Sequence, residues 1–372
     1  MKILVYMQNL STGGAERTIL NIVKGLKGKH EIIFVLGKLT DNSYDDLLLK
    51  MNVKIIVLNK SKTRGSILSL SRIIYREKPD ILFSTLTSNN IALALSKILS
   101  FRRTPLVLRV TNNTENQKIS LFKRLYIRFI YNLFAKKIVS LSAGVQEDLI
   151  NNYKIKQSKI VLIYNPVDLE YIADKKNEKI NIEHSLLFKE NLTNIINVGR
   201  LVEQKNQKLL IDSAIELRKS NKSFNVIIIG DGPLKNKLIR YVDENLARDY
   251  IHFLGYQKNP YKFLRKSDIF VLTSKWEGFG HVIVEAMATN NSVISVDCKS
   301  GPKGIIGENY GILVNDNVNE ISKAILDIIN DPVKKENLVK QGLQRAKDFS
   351  LKKIVREYET MFHSINKKKI KK

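Results

Sequence analysis

The chain has 372 residues and a hydrophobic content of 44%, enough for two domains with a core each. Its single cysteine, Cys298, excludes a disulfide framework and a cysteine metal cluster and fits a reducing cytoplasm. No apolar run reaches the roughly 18–20 residues of a membrane span, and the amino-terminal run is too short for a signal-peptide core. The net charge of +26 points to an anionic partner, either nucleic acid or anionic lipid.

From the first residue, short apolar runs alternate with amphipathic helical patterns, the signature of an α/β chain with parallel sheets. Ile3–Met7, Ile32–Leu36, Val53–Leu58, Ile81–Phe83, Leu106–Val110, Ile138–Leu141 and Ile160–Tyr164 read as strands. Between the first two, Ile19, Ile22, Val23 and Leu26 recur at helical spacing. The connection into that helix is Ser11-Thr12-Gly13-Gly14-Ala15-Glu16-Arg17. A glycine pair there is either a plain turn or a loop facing a phosphate or another substrate. The third glycine of a dinucleotide-binding fingerprint is absent. Further on, Arg109, Asn112 and Asn113 end a strand, where they either project polar groups or serve as turn residues.

Residues 102–137 are strongly basic, with Arg102, Arg103, Lys123, Arg124, Arg128, Lys136 and Lys137 among the cations and Glu115 the only acid. Phe122, Tyr126, Phe129, Tyr131 and Phe134 interleave with them. Two readings are open: an interfacial segment drawn to anionic lipid at about 1 kcal/mol per cation, or an ordinary helix with a solvated cationic face. Asn165-Pro166-Val167-Asp168 stops regular structure after a strand, so residues 1–168 are expected to form the first domain. Residues 169–190 read as hinge and linker, because 173–190 are rich in Lys, Asn and Glu.

Strand–helix alternation then restarts, with strands expected at Asn194–Val198, Val226–Ile229, Ile251–Leu254, Ile269–Leu272, Val293–Val296 and Ile312–Val314. Arg200 and Lys205 follow the first of these, where an arginine can fork onto a phosphate and a lysine can add a point charge. Any exposed loop can also carry such residues. Gly230-Asp231-Gly232-Pro233 ends the next strand as a turn. The most informative stretch is Ser274 to Asn291, in which Gly278 and Gly280 permit a tight turn and His281–Thr289 reads as a helix. Its amino terminus can face an anion. Glu277 and Glu285, with seven residues between them, are either solvated acids or two carboxylates turned to one polar ligand beside that anion. Residues 191–350 form the expected second domain. Residues 351–366 form a closing helix with Ile354, Tyr358, Met361 and Phe362 on one face, and 367–372 a basic tail expected to be disordered.

The stretch from Glu277 to Glu285 resembles the E-x7-E region of retaining GT-B glycosyltransferases, in the family 4 group. Gly13-Gly14-Ala15-Glu16, Asn165-Pro166-Val167-Asp168, Gly199-Arg200-Leu201 with Lys205-Asn206, and Gly230-Asp231-Gly232-Pro233 match in order, so the resemblance spans nearly the whole chain. It implies two Rossmann-like domains facing across a cleft and transfer of a hexose or N-acetylhexosamine from a nucleotide sugar, UDP-linked in this reading, with configuration retained. Arg200 and Lys205 would grip the diphosphate and Glu277 the transferred sugar. Glu285, Gly13, Gly14, Gly230, Leu254, Gly278, Phe279, Gly280, His281 and Val282 would meet the nucleotide sugar. The likeness of the Gly13-Gly14-Ala15-Glu16 loop makes Glu16 an acceptor-side candidate, and many relatives have a histidine near Arg109 that is absent here, which leaves Arg109, Asn112 and Asn113 as further candidates. Gly304 stands where the family has an acid, removing one contact. The closing helix would return toward the first domain.

No Asp-x-Asp triplet occurs, so a metal clamp of the GT-A kind is not expected, and the nucleotide sugar is the expected co-substrate with no further cofactor. The basic segment and the family together imply a polyprenol-linked saccharide acceptor for lipopolysaccharide O-antigen, capsule or glycoprotein glycan, and a peripheral place on the inner face of the plasma membrane. A nucleotide-sugar epimerase of the same fold is the rival within enzymes. A basic nucleic-acid-binding protein is the rival of another class, and no zinc finger or RNA-recognition sequence supports it.

Overall fold

A computed structural model describes residues 1–11, 13–40, 43–111, 120–189 and 191–370. The chain forms two compact units, one of residues 1–166 with the chain from Leu351 onward, the other Val167–Ser350.

In the first unit the apolar runs form β1 (Lys2–Met7), β2 (Glu31–Leu36), β3 (Lys54–Val57), β4 (Ile81–Thr85), β5 (Leu106–Val110), β6 (Lys137–Ser140) and β7 (Ile160–Leu162). The helices between them are α1 (Gly14–Leu26), α2 (Ser43–Leu49), α3 (Ile67–Glu77), α4 (Thr87–Leu99), α5 (Leu121–Phe134) and α6 (Ala143–Asn151). Capping hydroxyls fix two of the starts: Ser120 accepts from the Lys123 amide and Ser142 from the Val145 amide. The strands make one parallel sheet in the order β3-β2-β1-β4-β5-β6-β7. Strand order reverses between β1 and β4, the place where an open sheet of this kind binds ligands beyond the strands' carboxyl ends.

The second unit opens with α7 (Leu169–Lys175) and α8 (Ile182–Ser185). Residues 169–190 are therefore not a plain linker. Asp168 caps α7, Asn259 donates to the Lys175 carbonyl, Lys176 reaches the Ala288 carbonyl, and Asn225 donates to the Leu187 carbonyl. Composition suggested a tether, but these hydrogen bonds staple the segment to the unit.

Next come β8 (Thr193–Val198), α9 (Gln207–Arg218), β9 (Phe224–Ile229), α10 (Lys235–Glu244), β10 (Ile251–Gly255), α11 (Tyr261–Lys266) and β11 (Ile269–Leu272). They are followed by β12 (Trp276–Glu277), α12 (His281–Ala288), β13 (Ser292–Val296), β14 (Lys299–Ser300), α13 (Pro302–Ile306), β15 (Ile312–Val314), α14 (Val318–Asn330) and α15 (Pro332–Ala346). The main sheet is parallel in the order β10-β9-β8-β11-β13-β15, with its reversal between β8 and β11; β12 and β14 pair separately.

A last helix, α16 (Leu351–Ile370), belongs to the first unit and runs beyond the 351–366 expected for it, through four residues assigned from composition to a disordered tail. Ile354, Tyr358, Met361 and Phe362 bury on one side of it, with Phe83 edge-on to Phe362 at 5.7 Å, in a core shared with Ile3, Val5, Ile19 and Phe34. The second core gathers Ile195, Val226, Ile228, Val271 and Ile294 beneath α9 and α14. Both cores follow from strands with residues buried on each side, which read as continuous Val/Ile/Leu runs.

Candidate active site

In the second unit the loop after β8 and the loop after β11 flank the reversal of strand order and are tied together. The Lys275 amide donates to the Gln204 carbonyl at 2.8 Å and the Gln204 side chain to the Trp276 carbonyl at 2.9 Å. The Thr273 hydroxyl reaches the Lys205 carbonyl at 3.1 Å. This lacing brings Lys205 Nζ to 2.5 Å from Glu277 Oε1, and the Ser274 hydroxyl donates to the same oxygen at 2.8 Å. Glu277 is buried and Lys205 half-buried, so the cation and the acid expected to share a ligand meet each other. Arg200, from the same loop as Lys205, is exposed.

The turn between β12 and α12 needs glycine at position 280. Gly280 caps α12 at φ +93°, a left-handed backbone that side chains disfavour. A Cβ on Gly301 would lie 2.5 Å from the Phe279 carbonyl oxygen, so the loop Ser300-Gly301-Pro302 passes directly against the turn Glu277-Gly278-Phe279-Gly280. The Phe279 ring is buried edge-on to Phe349 at 5.5 Å and to His281 at 5.3 Å. Helix α12 then presents His281 and Val282 in its first turn and buries Glu285.

Gly230 has φ +147°, and a Cβ there would stand 1.9 Å from the Gly199 carbonyl oxygen. The Leu201 amide donates to Asp231 and the Leu234 amide to Leu201, so the G-D-G-P turn is the bed under the loop that carries Arg200. Leu254 lies at a break in the register of edge strand β10, and Gln257 occupies its carbonyl at 2.8 Å.

Several contributors were not evident in the sequence: Ser274, Thr273 and Gln204, the Gly301 crossing, and Arg345. The Arg345 guanidinium holds the Gly304 and Ile305 carbonyls, where the acid of the family is missing. Ordinary Ser, Thr and Gln in loops give no periodic signal, and only the fold shows their partners. Cys298 is buried nearby, and burial, reinforced by the Glu277 charge, pushes its thiol up to about 12.

In the first unit Gly13 and Gly14 lead into α1 after β1. Glu16 folds back over them, buried, accepting from the Ser11 hydroxyl at 2.8 Å, and its carboxylate would lie 2.4 Å from a Cβ on Gly13. Arg109 does not project from its strand as expected but is fully buried. Strand alternation puts it on the Val107 side, beneath α16, where it donates to Thr85 at 2.9 Å and to Asn165. Burial lowers its pKa, and the Tyr358 hydroxyl and the Glu16 charge oppose that. Asn112 and Asn113 lie outside the described residues. Among the described residues no group of three or more His, Cys, Asp or Glu side chains could hold a metal ion.

Two parallel Rossmann-like sheets, one carrying a cationic loop laced to an acidic turn at a helix amino terminus, define the GT-B class of folds. Residues 178–345 match the model for glycosyl transferases group 1, and residues 12–171 that for glycosyltransferase family 4. An uncharacterised glycosyltransferase of Methanocaldococcus jannaschii is 31% identical, over 78% of this chain and 80% of that one. The chain belongs to the family 4 (group 1) glycosyltransferases.

A second relative, 27% identical over 96% of this chain and 98% of its own, is from Campylobacter jejuni. It is the N-acetylgalactosamine-N,N'-diacetylbacillosaminyl-diphospho-undecaprenol 4-alpha-N-acetylgalactosaminyltransferase. Among solved structures, Anabaena HepE in complex with UDP superposes with a TM-score of 0.85 over 98% of this chain and 100% of its own, at 20% identity, a likeness of fold.

Proposed function

We propose that this chain is a retaining, metal-independent glycosyltransferase moving a hexose or N-acetylhexosamine from a UDP-sugar to a polyprenol-linked saccharide in surface-glycan assembly. The observation that carries the reading is the Lys205–Glu277 pair, 2.5 Å long, in the loops that flank the reversal of strand order. Arg200 and Lys205 would neutralise charge developing on the leaving diphosphate, aided by the amides at the start of α12. Glu277 would accept hydrogen bonds from the transferred sugar's hydroxyls and Glu285 from the ribose. Each charge-assisted bond is worth about 1.5–3 kcal/mol. The loop at Gly13, Gly14 and Glu16 would lie toward donor phosphate and acceptor.

Lipid-linked acceptors are named in the Campylobacter relative and in an Escherichia coli galactosyltransferase acting on a diphosphoundecaprenol substrate, 29% identical over 80% of this chain. No helix among the described residues is long and apolar enough to cross a membrane. We assign contact with an anionic bilayer to the basic segment 102–137, where α5 leaves Phe122, Leu125, Phe129 and Leu133 exposed beside Lys123 and Arg128.

The test is a panel of UDP-, GDP- and TDP-sugars with polyprenyl-diphosphate saccharides, following nucleotide release and the anomeric configuration of the product. Arg200→Ala and Glu285→Ala are each expected to abolish turnover with the fold intact. Full activity in both would overturn the site, and sugar-nucleotide isomerisation without an acceptor would make the chain an epimerase.

A further inference from the structure

In the first unit α4 ends at Leu99, and two residues later Phe101 sits at φ +53° with 93% of its surface in water. The left-handed backbone after a helix is the position glycine favours, so a side chain there is strained. A phenylalanine held in this way loses twice, in backbone strain and in an aromatic ring left to solvent.

Its surroundings are specific. A surface cavity of about 390 Å³ lies between α3 and the end of α4, lined by Arg72, Tyr75 and Arg76 on one side and Leu99 and Phe101 on the other. The Arg102 guanidinium stacks on the Tyr75 ring at 5.0 Å and donates to the Tyr75 carbonyl, fixing that wall. The acids of this corner face elsewhere: Glu77 pairs with Lys54 at 2.6 Å, and Asp80 accepts from the Lys2 amide. From Ile81 to Val110 the sequence has no acid. Leu246 offers a contrast, with φ +50° and 87% exposure at the end of α10, but it has Asp243, Glu244 and Asp249 around it in sequence. The Phe101 corner joins an exposed apolar group to the exposed guanidinium charge of Arg72 and Arg76.

An isolated anion would account for the arginines and not for the ring, and an apolar peptide would account for the ring and not for the arginines. A phosphate attached to hydrocarbon accounts for both. We propose that the α3–α4 corner docks an anionic phospholipid, with Arg72 and Arg76 on the phosphate and Phe101 with Leu99 entering the acyl layer. The corner lies outside α5 but continues from it, since Lys97 in the last turn of α4 donates to the Phe134 carbonyl that ends α5. This site rests on the reading that the chain works at a membrane.

The experiment is flotation of the full chain with phosphatidylcholine vesicles, with and without phosphatidylglycerol, for Phe101→Gly and for Arg72→Gln/Arg76→Gln. Glycine relieves the backbone, so the first variant folds at least as well as the parent. Each lost arginine is expected to lower partition onto anionic vesicles about fivefold, and loss of the ring several-fold. Transfer to a short water-soluble acceptor should be unchanged in all of them. Partition equal to the parent in both variants overturns the site. So does binding equal on neutral vesicles, or competition by inorganic diphosphate with no vesicle dependence. A protein with no transferase activity whose flotation still depends on these residues would sink the proposed reaction and leave the site standing.

Discussion

The Lys205–Glu277 contact offers a quantitative check on the site. Removing one partner of a buried ion pair costs about 3–5 kcal/mol, because the other charge is left uncompensated. Here the Lys205 side chain keeps 21% of its surface and Glu277 only 9%, and Ser274 still donates to the carboxylate. Solvent screening at the lysine reduces the expected cost of Lys205→Met or Glu277→Gln to about 2 kcal/mol each. For a unit of this size that is a fall of about 4–8 °C in its melting temperature. In the double variant neither charge remains stranded, so it should be more stable than the sum of the singles by about 1–2 kcal/mol. Thermal and urea unfolding of all four proteins closes the cycle. Titration with UDP-sugar should show each single variant binding about tenfold or more weakly, the worth of one charge-assisted bond. Additivity within about 0.5 kcal/mol, together with unchanged donor binding, would refute the pairing and its role.

Gly230→Ala should be more disruptive than its size suggests. A Cβ 1.9 Å from the Gly199 carbonyl must displace the Arg200 loop by about 1 Å, so kcat/KM should fall about 100-fold, with a stability loss of about 2–4 kcal/mol measurable in urea. Cys298, with its thiol pushed up to about 12, stays protonated at neutral pH; a thiol reagent should modify it slowly in the native protein and fully in urea. His30 is half-buried, and desolvation followed by the charge of the terminal amino group lowers its pKa despite the Glu359 carboxylate 3.3 Å away. The unfolded chain therefore takes up that proton first, and stability is lost as pH falls below the ordinary histidine value of about 6.5. His30→Gln should narrow the gap in urea midpoint between pH 7.5 and pH 5. His252, lowered by burial in the same direction, should keep that gap from closing.

Thirteen strands stood out in the sequence because each is an apolar run too short for a helix and bounded by turn residues, the pattern of parallel strands covered on both faces. The face of α16 was equally plain, since Ile354, Tyr358, Met361 and Phe362 repeat at helical spacing. Spacing and the resemblance singled out Arg200, Lys205, Glu277 and Glu285 as candidates, and of these the contact in the structure is Lys205 with Glu277. What the sequence could not supply was contact across long separations. Lys205 and Glu277 are 72 residues apart and meet only because β8 and β11 are neighbours at the reversal of strand order. Arg109 looked like a ligand-facing residue because it stands at the end of a strand. The alternation of β5 instead turns it under α16, where Thr85 and Asn165 accept from its guanidinium in place of solvent. Local pattern set the elements, and strand order and side-chain direction decided which polar groups meet.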